Sequence, residues 1–174
     1  MKTEKTVSSE TVYKGRVLTL KKDEITTPDG KIGIREVVEH GGGAAILAVK
    51  DGKALIERQY RYALKKEIYE IPAGKRESGE DFSVTAKREL EEETGYIPLD
   101  LAKLTEIYPS PGYTDEKIEI YLATEFQKGS KHFDETEYLT SEWMDLDKIY
   151  DMIRIGEITD AKTVVAFLAY EKNL

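Results

Sequence analysis

The 174-residue sequence contains no cysteine, which excludes disulfide bonds and metal sites built from thiolates. Its first ten residues are polar and lack the apolar core of a signal peptide. No apolar stretch approaches the length that a membrane-spanning helix needs. Because a chain without cysteine also suits reducing conditions, we expect a cytoplasmic protein that does not enter a membrane.

Basic residues are fewer than acidic residues. The chain has 26 Lys and Arg residues against 34 Asp and Glu residues, and its formal net charge is -8 at pH 7. Such a surface repels polyphosphate backbones, so we expect no nucleic-acid partner. A small anionic ligand is compatible with this balance if a few arginines converge on it. We find no internal repeat or low-complexity segment, and the length suits one domain with or without a short accessory piece.

Most of the first 72 residues have the pattern of β-strands. Residues 12–20 are apolar and rich in β-forming residues, and Pro28-Asp29-Gly30 predicts a turn before a strand at 31–39. Gly41-Gly42-Gly43 indicates a boundary between an N-terminal piece and the main body. Alternation and apolar runs predict further strands at 44–50, 53–62, 67–71, 101–108, 117–124 and 138–144.

A helix is predicted between Asp81, a suitable N-cap residue, and Gly95, which suits the position just beyond a helix. Phe82, Ala86 and Leu90 recur every four residues within it and form one apolar stripe. Two more helical patterns occupy the C-terminal part of the chain, at 146–155 and 159–170. Strands mixed with a few helices indicate a sheet covered by helices.

The predicted helix carries an acidic face besides its apolar stripe. Glu89, Glu92 and Glu93 are spaced by three and four residues, which brings their side chains together. Converging carboxylates repel one another unless a cation neutralises them, and hard divalent cations prefer oxygen ligands. The alternative is a solvated helix face on which Lys87 and Arg88 pair with the glutamates.

The residues around this helix resemble the Nudix box, the signature of the Nudix hydrolases. The pattern extends over 23 residues, and its matching positions are Gly74, Glu80, Arg88, Glu89, Leu90, Glu92, Glu93 and Gly95. The last position holds Tyr96, where an aliphatic residue is more usual. The resemblance favours the metal site over the solvated face.

The resemblance implies a site for two or three Mg²⁺ or Mn²⁺ ions that act on a diphosphate. Glu89 and Glu93 would be the main ligands, Glu92 would support them, and the backbone carbonyl of Ala73 would complete the set. Arg88 would orient a glutamate through a charge-assisted pair.

Glu80 has two open interpretations. It would support the metal ligands, or it would only favour the dipole at the N-terminus of the helix.

Segments outside the box are similar to the ADP-ribose pyrophosphatase branch of the family. Pro111, in a Ser-Pro-Gly setting, lies sixteen positions after Gly95, and similar segments occur in the same order at 35–40, 58–61, 70–74 and 160–163. By this resemblance Arg35 and Arg61 would bind the substrate, with Arg61 on the diphosphate, because guanidinium groups match phosphate oxygens. Ser110 and Glu116 would face the terminal ribose.

The resemblance also implies a general base on a loop just before the strand at 138–144. Glu137 ranks first, Glu135 second and His132 third, although His132 would be the choice on pKa alone. For adenine stacking, Tyr13 and Arg16 are both open.

Together these features predict an α+β protein with the Nudix fold, in which a mixed β-sheet lies between α-helices. A small N-terminal β-strand domain (1–41) would precede the hydrolase domain (42–174), and the resemblance implies a homodimer. The expected reaction is metal-dependent hydrolysis of ADP-ribose to AMP and ribose 5-phosphate. The alternatives are another nucleoside diphosphate derivative, namely a sugar nucleotide, NADH or a dinucleoside polyphosphate, and a nucleotide-sensing module without activity.

Overall fold

The computed structural model describes residues 2–132 and 138–172, which divide into two compact units. The first unit comprises Met1–Gly42 together with Tyr108–Lys117, and the second comprises the rest of the chain. Each unit has a sheet of its own.

The first unit is built on a three-stranded antiparallel sheet. Its strands are β1 (Lys5–Lys14), β2 (Leu18–Thr26) and β3 (Ile32–His40), in that spatial order. The predicted turn at Pro28-Asp29-Gly30 connects β2 to β3, and Gly30 adopts the positive φ of 86° that favours glycine there.

One prediction in this unit was wrong. Residues 12–20 do not form a single strand, because the chain reverses direction between β1 and β2. The amide of Gly15 donates to the carbonyl of Leu18 at 2.9 Å and closes that turn. The β-forming residues on both sides conceal a short turn that has no Pro or Asn-Gly signal.

The second unit contains a seven-stranded mixed sheet. Its main path is β12-β5-β4-β10-β9, with β6 paired to β5 and β7 paired to β4. Strands β4 and β10 are parallel, and the other pairs are antiparallel. A separate pair joins β8 to β11. The bounds are β4 Gly43–Lys50, β5 Lys53–Arg61, β6 Lys66–Glu70, β7 Ala73–Lys75, β8 Tyr96–Pro98, β9 Ala102–Ile107, β10 Ile118–Ala123, β11 Phe126–Lys128 and β12 Leu139–Asp145.

Both faces of this sheet are covered by helices. The helices are α1 (Phe82–Thr94), α2 (Leu146–Arg154) and α3 (Ala161–Glu171). Alternate residues of β4 enter two different core clusters, one of which includes residues of α1 and the other residues of α2 and α3. This explains the continuous apolar run of β4, since a strand buried on both faces needs apolar side chains at every position. The prediction of a mixed sheet between helices is confirmed.

Helix α1 occupies the predicted range, and its ends are set by the backbone. Asp81 is at the N-cap position in an extended conformation, although its side chain makes no capping hydrogen bond. Gly95 adopts the left-handed conformation with φ of 75°, and its N–H donates to the carbonyl of Glu91. Along residues 2–132 and 138–172, no helix has the length and hydropathy to span a membrane.

Candidate functional site

The packing of α1 directs its glutamates away from the hydrophobic core. Ala86 and Leu90 are fully buried in the core cluster beneath the helix. Glu89 and Glu92 remain partly accessible, whereas Glu93 lies deeper and is only 4% exposed. The apolar stripe therefore places three carboxylates at graded depths on one side of the helix.

Strand β7 receives two of these glutamates. The backbone N–H of Ala73 donates to Oε2 of Glu93 at 3.0 Å. A Cβ atom added to Gly74 would lie 1.9 Å from the Glu89 carboxyl carbon, so a side chain at this position would displace Glu89. The glycine of the motif thus allows close approach of a carboxylate to the backbone. The predicted role of the Ala73 carbonyl as a metal ligand stays a prediction.

Arg88 gathers the carboxylates of the helix and of the loop before it. Its Nη1 donates to Glu89 Oε1 at 2.9 Å and to Glu92 Oε2 at 3.0 Å. Its Nε and Nη2 both contact Glu80 at 3.2 Å, and Nη2 also donates to the Lys75 carbonyl at 3.1 Å. Burial lowers the pKa of Arg88, but its hydrogen bonds with Glu80 and Glu89 outweigh this effect and raise the pKa. The guanidinium stays charged and holds the surrounding acids in place.

Glu80 closes this network at the start of the helix. Besides Arg88, it accepts from Thr85 Oγ1 at 2.7 Å and from the Glu77 N–H at 3.2 Å. The Arg88 hydrogen bond, aided by those two donors, lowers the pKa of Glu80 to about 2. Glu80 therefore contacts the arginine that holds Glu89 and Glu92, which supports the first of the two interpretations given above.

A second charged cluster surrounds Arg61 at the end of β5. Its Nε and Nη2 donate to the two oxygens of Glu70 at 2.5 and 2.7 Å, and Lys162 of α3 also contacts Glu70. Burial raises the pKa of Glu70, but the hydrogen bond from Arg61 and the charge of Lys162 outweigh it and leave the pKa below its ordinary value. Lys162 in turn lies 3.1 Å from Asp160.

Sequence reasoning assigned no role to Glu70 or Lys162. Both are buried, which is rare for charged residues that are not paired. The available signal was their position in segments similar to the ADP-ribose pyrophosphatase branch, beside the apolar residues of β6 and α3.

Glu57 was missed entirely. It follows the apolar residues Ala54, Leu55 and Ile56 in β5 and is only 3% exposed. Burial raises its pKa to about 8, and its carboxyl is hydrogen-bonded to that of Glu93. Its Oε1 atom has no hydrogen-bond partner within the part of the chain that the structure describes. A carboxyl at the end of an apolar strand run was the signal in the sequence.

The donor chemistry of this region suits a hard divalent cation. Its acidic groups Glu57, Glu89, Glu92 and Glu93 offer carboxylate oxygens, and one buried oxygen of Glu57 has no hydrogen-bond partner among the described residues. Among residues 2–132 and 138–172, however, no three His, Asp or Glu side chains already stand together as a metal-binding group. Arg88 pairs with Oε1 of Glu89 and with Oε2 of Glu92, so it gathers two of these carboxylates in one place.

The loop that leads toward the predicted base is attached to α1. The N–H of Gly129 donates to the Gly95 carbonyl at 2.8 Å, and the N–H of His132 donates to the Glu92 carbonyl at 3.0 Å. Glu135 and Glu137 themselves lie outside the described residues.

Three of the predicted substrate residues belong to the first unit. Arg35 forms a two-pronged ion pair with Glu4, and its Nη1 donates to the carbonyl of Ile34 at 2.9 Å. Glu116 lies 3.4 Å from Nδ1 of His40. Arg35 and Glu116 therefore make separate contacts within this unit.

The loop around Ser110 and the open stacking position also belong to the first unit. The backbone carbonyl of Ser110 accepts from the N–H groups of Tyr113 and Thr114, both at 3.2 Å. Tyr13 is exposed at the end of β1, and its ring lies against Gly15. A Cβ atom added to Gly15 would lie 2.8 Å from this ring.

The sequence matches two known protein families and is similar to several known proteins. Residues 39–167 match the family described as NUDIX domain, and residues 4–38 match the Nucleoside diphosphate sugar hydrolase N-terminal domain. The chain is 41% identical to an ADP-ribose pyrophosphatase of Bacillus subtilis (strain 168) over 94% of its length and 90% of that protein. It is 42% identical to a Methanol dehydrogenase activator of Bacillus methanolicus with the same coverage.

Among solved structures, an ADP compounds hydrolase has the same fold. Its TM-score is 0.86 at 23% identity, and the alignment covers 97% of this chain and 92% of that one.

Proposed function

The chain belongs to the Nudix family, and from this premise we propose that it hydrolyses the diphosphate of ADP-ribose to AMP and ribose 5-phosphate. The observation that carries the proposal is the carboxylate cluster of the Nudix box, gathered by Arg88 and anchored on β7 through Glu93. The identity of 41% to an ADP-ribose pyrophosphatase over nearly the full length supports the choice of substrate.

Nudix hydrolases depend on divalent metal ions. We propose that this site binds two or three Mg²⁺ or Mn²⁺ ions. We assign Glu89 and Glu93 as the main ligands, Glu92 as a supporting one and the Ala73 carbonyl as the backbone ligand. When bound, the ions neutralise charge on the phosphate oxygens. The graded burial of the glutamates supports this assignment, because Glu93 lies deepest and is held by a backbone N–H.

Arg88 acts as a positioning residue for these ligands. Its Nη1 bridges Glu89 and Glu92 and offsets the repulsion between the two carboxylates. The hydrogen bonds of Arg88 to Glu80 and to the Lys75 carbonyl fix its guanidinium beside the carboxylates that would hold the ions.

Arg61 binds the diphosphate in this proposal. Glu70 uses one edge of the guanidinium, formed by Nε and Nη2, and thereby fixes its plane. The remaining N–H donors of the planar group point away from Glu70 and are suited to phosphate oxygens. Lys162 also contacts Glu70, so this carboxylate orients Arg61 while it is shared with a second cation.

Glu137 accepts the proton of the attacking water in this scheme, with Glu135 second and His132 third. The hydrogen bonds from Gly129 and His132 to the C-terminal end of α1 support a base from this loop, since they bring its beginning to the helix that carries the metal ligands.

Three more residues are proposed to contact the substrate. Arg35, Ser110 and Glu116 would bind the substrate, the last two at the terminal ribose, and the protein would act as a homodimer. The boundary that we propose between the N-terminal piece (1–41) and the hydrolase domain (42–174) coincides to within a few residues with the matches to the two domain families. Cytoplasmic location and the absence of a nucleic-acid partner stay predictions.

A sugar nucleotide is the second candidate substrate. The match of residues 4–38 to a domain described for nucleoside diphosphate sugar hydrolases favours it specifically. The third candidate is a regulatory module that senses a nucleotide without hydrolysing it. The relative described as a Methanol dehydrogenase activator supports this candidate.

Turnover of a nucleotide panel tests these functions directly. The purified protein, with Mg²⁺ or Mn²⁺, is given ADP-ribose, GDP-mannose, UDP-glucose, NADH and diadenosine tetraphosphate, and the products are separated by chromatography. We expect AMP and ribose 5-phosphate from ADP-ribose, with the highest kcat/KM of the panel. If a sugar nucleotide has a higher kcat/KM than ADP-ribose, the sugar nucleotide becomes the assigned substrate. A lack of turnover with every compound supports the regulatory module.

A further inference from the structure

Glu57 is a buried carboxyl residue outside the Nudix box that directly contacts a residue of the box. It lies in β5, whereas Glu93 lies in α1, so the sheet and the helix each contribute one carboxyl group. The two groups are hydrogen-bonded to each other, and their exposed fractions are only 3% and 4%.

The contacts around Glu57 leave part of its carboxyl unsatisfied. Its Oε1 is buried and lacks a hydrogen-bond partner in residues 2–132 and 138–172. Glu70 lies directly opposite it in the pairing of β5 with β6, and Lys131 and Lys162 act on it through their charges. Glu70, however, is bound to Arg61 and Lys162 and accepts from them.

A buried polar oxygen without a partner is unfavourable, and two carboxyl groups in contact add a repulsive interaction when both are charged. A cation bound by both groups removes both effects at once. Glu93 is fixed by the Ala73 N–H at 3.0 Å, and its carboxyl is hydrogen-bonded to that of Glu57. A cation bound at Glu93 would therefore be close to the Glu57 carboxyl.

We propose that Glu57 is an additional carboxylate ligand for a divalent cation bound at Glu93, contributed by strand β5 rather than by the acidic helix. The inference rests on the metal dependence in the proposed function and is independent of which nucleotide is hydrolysed. The cation would be a hard one such as Mg²⁺ or Mn²⁺, because all the donors are carboxylate or backbone oxygens. Glu57 would anchor it on the rigid central sheet.

Binding of Mn²⁺ alone, without nucleotide, tests this role. Free Mn²⁺ is measured by its electron paramagnetic resonance signal during titration of the wild type, Glu57→Gln and the matched control Glu142→Gln. Glu142 is exposed on the neighbouring strand β12 and pairs with Ile56, so its variant removes the same charge from the same sheet. We expect Glu57→Gln to lose one ion or to bind it at least about tenfold more weakly. Glu142→Gln should match the wild type.

A double variant shows whether Glu57 and Glu93 share one ion. If they do, Glu57→Gln should cost little further affinity when Glu93→Gln is already present, because the shared ion is already lost. Losses of affinity that multiply independently in the double variant would overturn the proposal.

Thermal unfolding separates ligation from a structural role. Glutamine has the shape of the glutamate without its charge, so metal-free Glu57→Gln should have a Tm equal to or above that of the wild type. The rise in Tm on adding saturating Mn²⁺ should be smaller in the variant, since a bound ion stabilises only in proportion to its affinity for the folded state.

The opposite pattern overturns the inference. If Glu57 is only a structural partner of Glu93, the metal-free Tm falls and both the Mn²⁺ affinity and the Mn²⁺-dependent rise in Tm equal those of the wild type. If the wild type itself binds no Mn²⁺, the metal dependence of the proposed function fails together with this inference. Unchanged Mn²⁺ binding in Glu57→Gln alone rejects only the role of Glu57.

Discussion

Replacement of Arg88 by alanine tests whether one guanidinium assembles the acidic groups of the site. Arg88 contacts Glu80, Glu89 and Glu92, and it also donates to a backbone carbonyl. Its removal leaves three carboxylates facing one another without the cation that separates them. We therefore expect Arg88→Ala to fold, with a clearly lower free energy of unfolding in the absence of metal.

The structure allows the size of this loss to be estimated. Removing one partner of a buried ion pair costs about 3–5 kcal/mol. The Arg88 side chain is 27% exposed, so solvent screens part of the interaction, and about 2–4 kcal/mol is a reasonable expectation. For a protein of this size each kcal/mol shifts Tm by about 2–4 °C, which predicts a decrease of about 4–16 °C.

The pH dependence of the loss follows from Glu80. The hydrogen bond from Arg88 lowers the pKa of Glu80 to about 2 from a value of 4.5. A group with a lowered folded-state pKa contributes stability above its unfolded pKa, and this contribution disappears as the pH falls through the folded pKa. The difference between wild type and Arg88→Ala should therefore be largest above pH 4.5 and should shrink as the pH falls toward about 2.

Urea unfolding in the presence of EDTA measures these free energies. A double-mutant cycle of Arg88→Ala with Glu80→Gln isolates their interaction, for which we expect about 1.5–3 kcal/mol at neutral pH. Lys87→Ala is the matched control, because it removes an exposed positive charge from the same helix. If Arg88→Ala is as stable as Lys87→Ala, or if the interaction with Glu80 is near zero, Arg88 does not organise the site.

Three further predictions concern catalysis. Glu93→Gln keeps the shape of a metal ligand without its charge, so we expect a folded protein whose turnover at saturating Mg²⁺ falls by roughly several orders of magnitude; wild-type turnover would refute the ligand assignment. Arg61→Ala should raise KM for ADP-ribose clearly, and an unchanged kcat/KM in steady-state assays would remove Arg61 from the diphosphate site. Glu137→Gln should lower kcat by about 10²–10⁴-fold, with a smaller effect at high pH, and Glu135→Gln should lower kcat less. If pH–rate profiles show the larger loss of kcat for Glu135→Gln, Glu135 is the general base instead of Glu137.

The local elements followed largely from the sequence. Apolar residues spaced four apart, together with Gly95, predicted the position of α1. The turn-forming residues Pro28-Asp29-Gly30 predicted the β2–β3 hairpin. The strands β7, β8 and β11 were not predicted, because three-residue strands have too few residues to show a period. The turn between β1 and β2 was missed, since β-forming residues continue on both sides of it.

The family and the acidic face of the helix could be predicted from the sequence alone. Spacings of three and four residues necessarily bring Glu89, Glu92 and Glu93 to one side of a helix. The fixed spacing from Gly74 to Gly95 indicated the Nudix family, which the comparison with known families confirmed. These properties depend on residues that are close together in the chain.

The partners of these residues were decided by the tertiary structure. Glu57 meets Glu93 only because β5 lies next to the strands that support α1, and Glu70 meets Lys162 across a sequence distance of 92 residues. A charged side chain on a strand is buried only if another helix or strand packs over it. That packing element lies far away in the sequence. The sequence therefore determined which acids share one face of the helix, whereas only the packing of helix on sheet decided that a buried carboxyl of β5 contacts one of them.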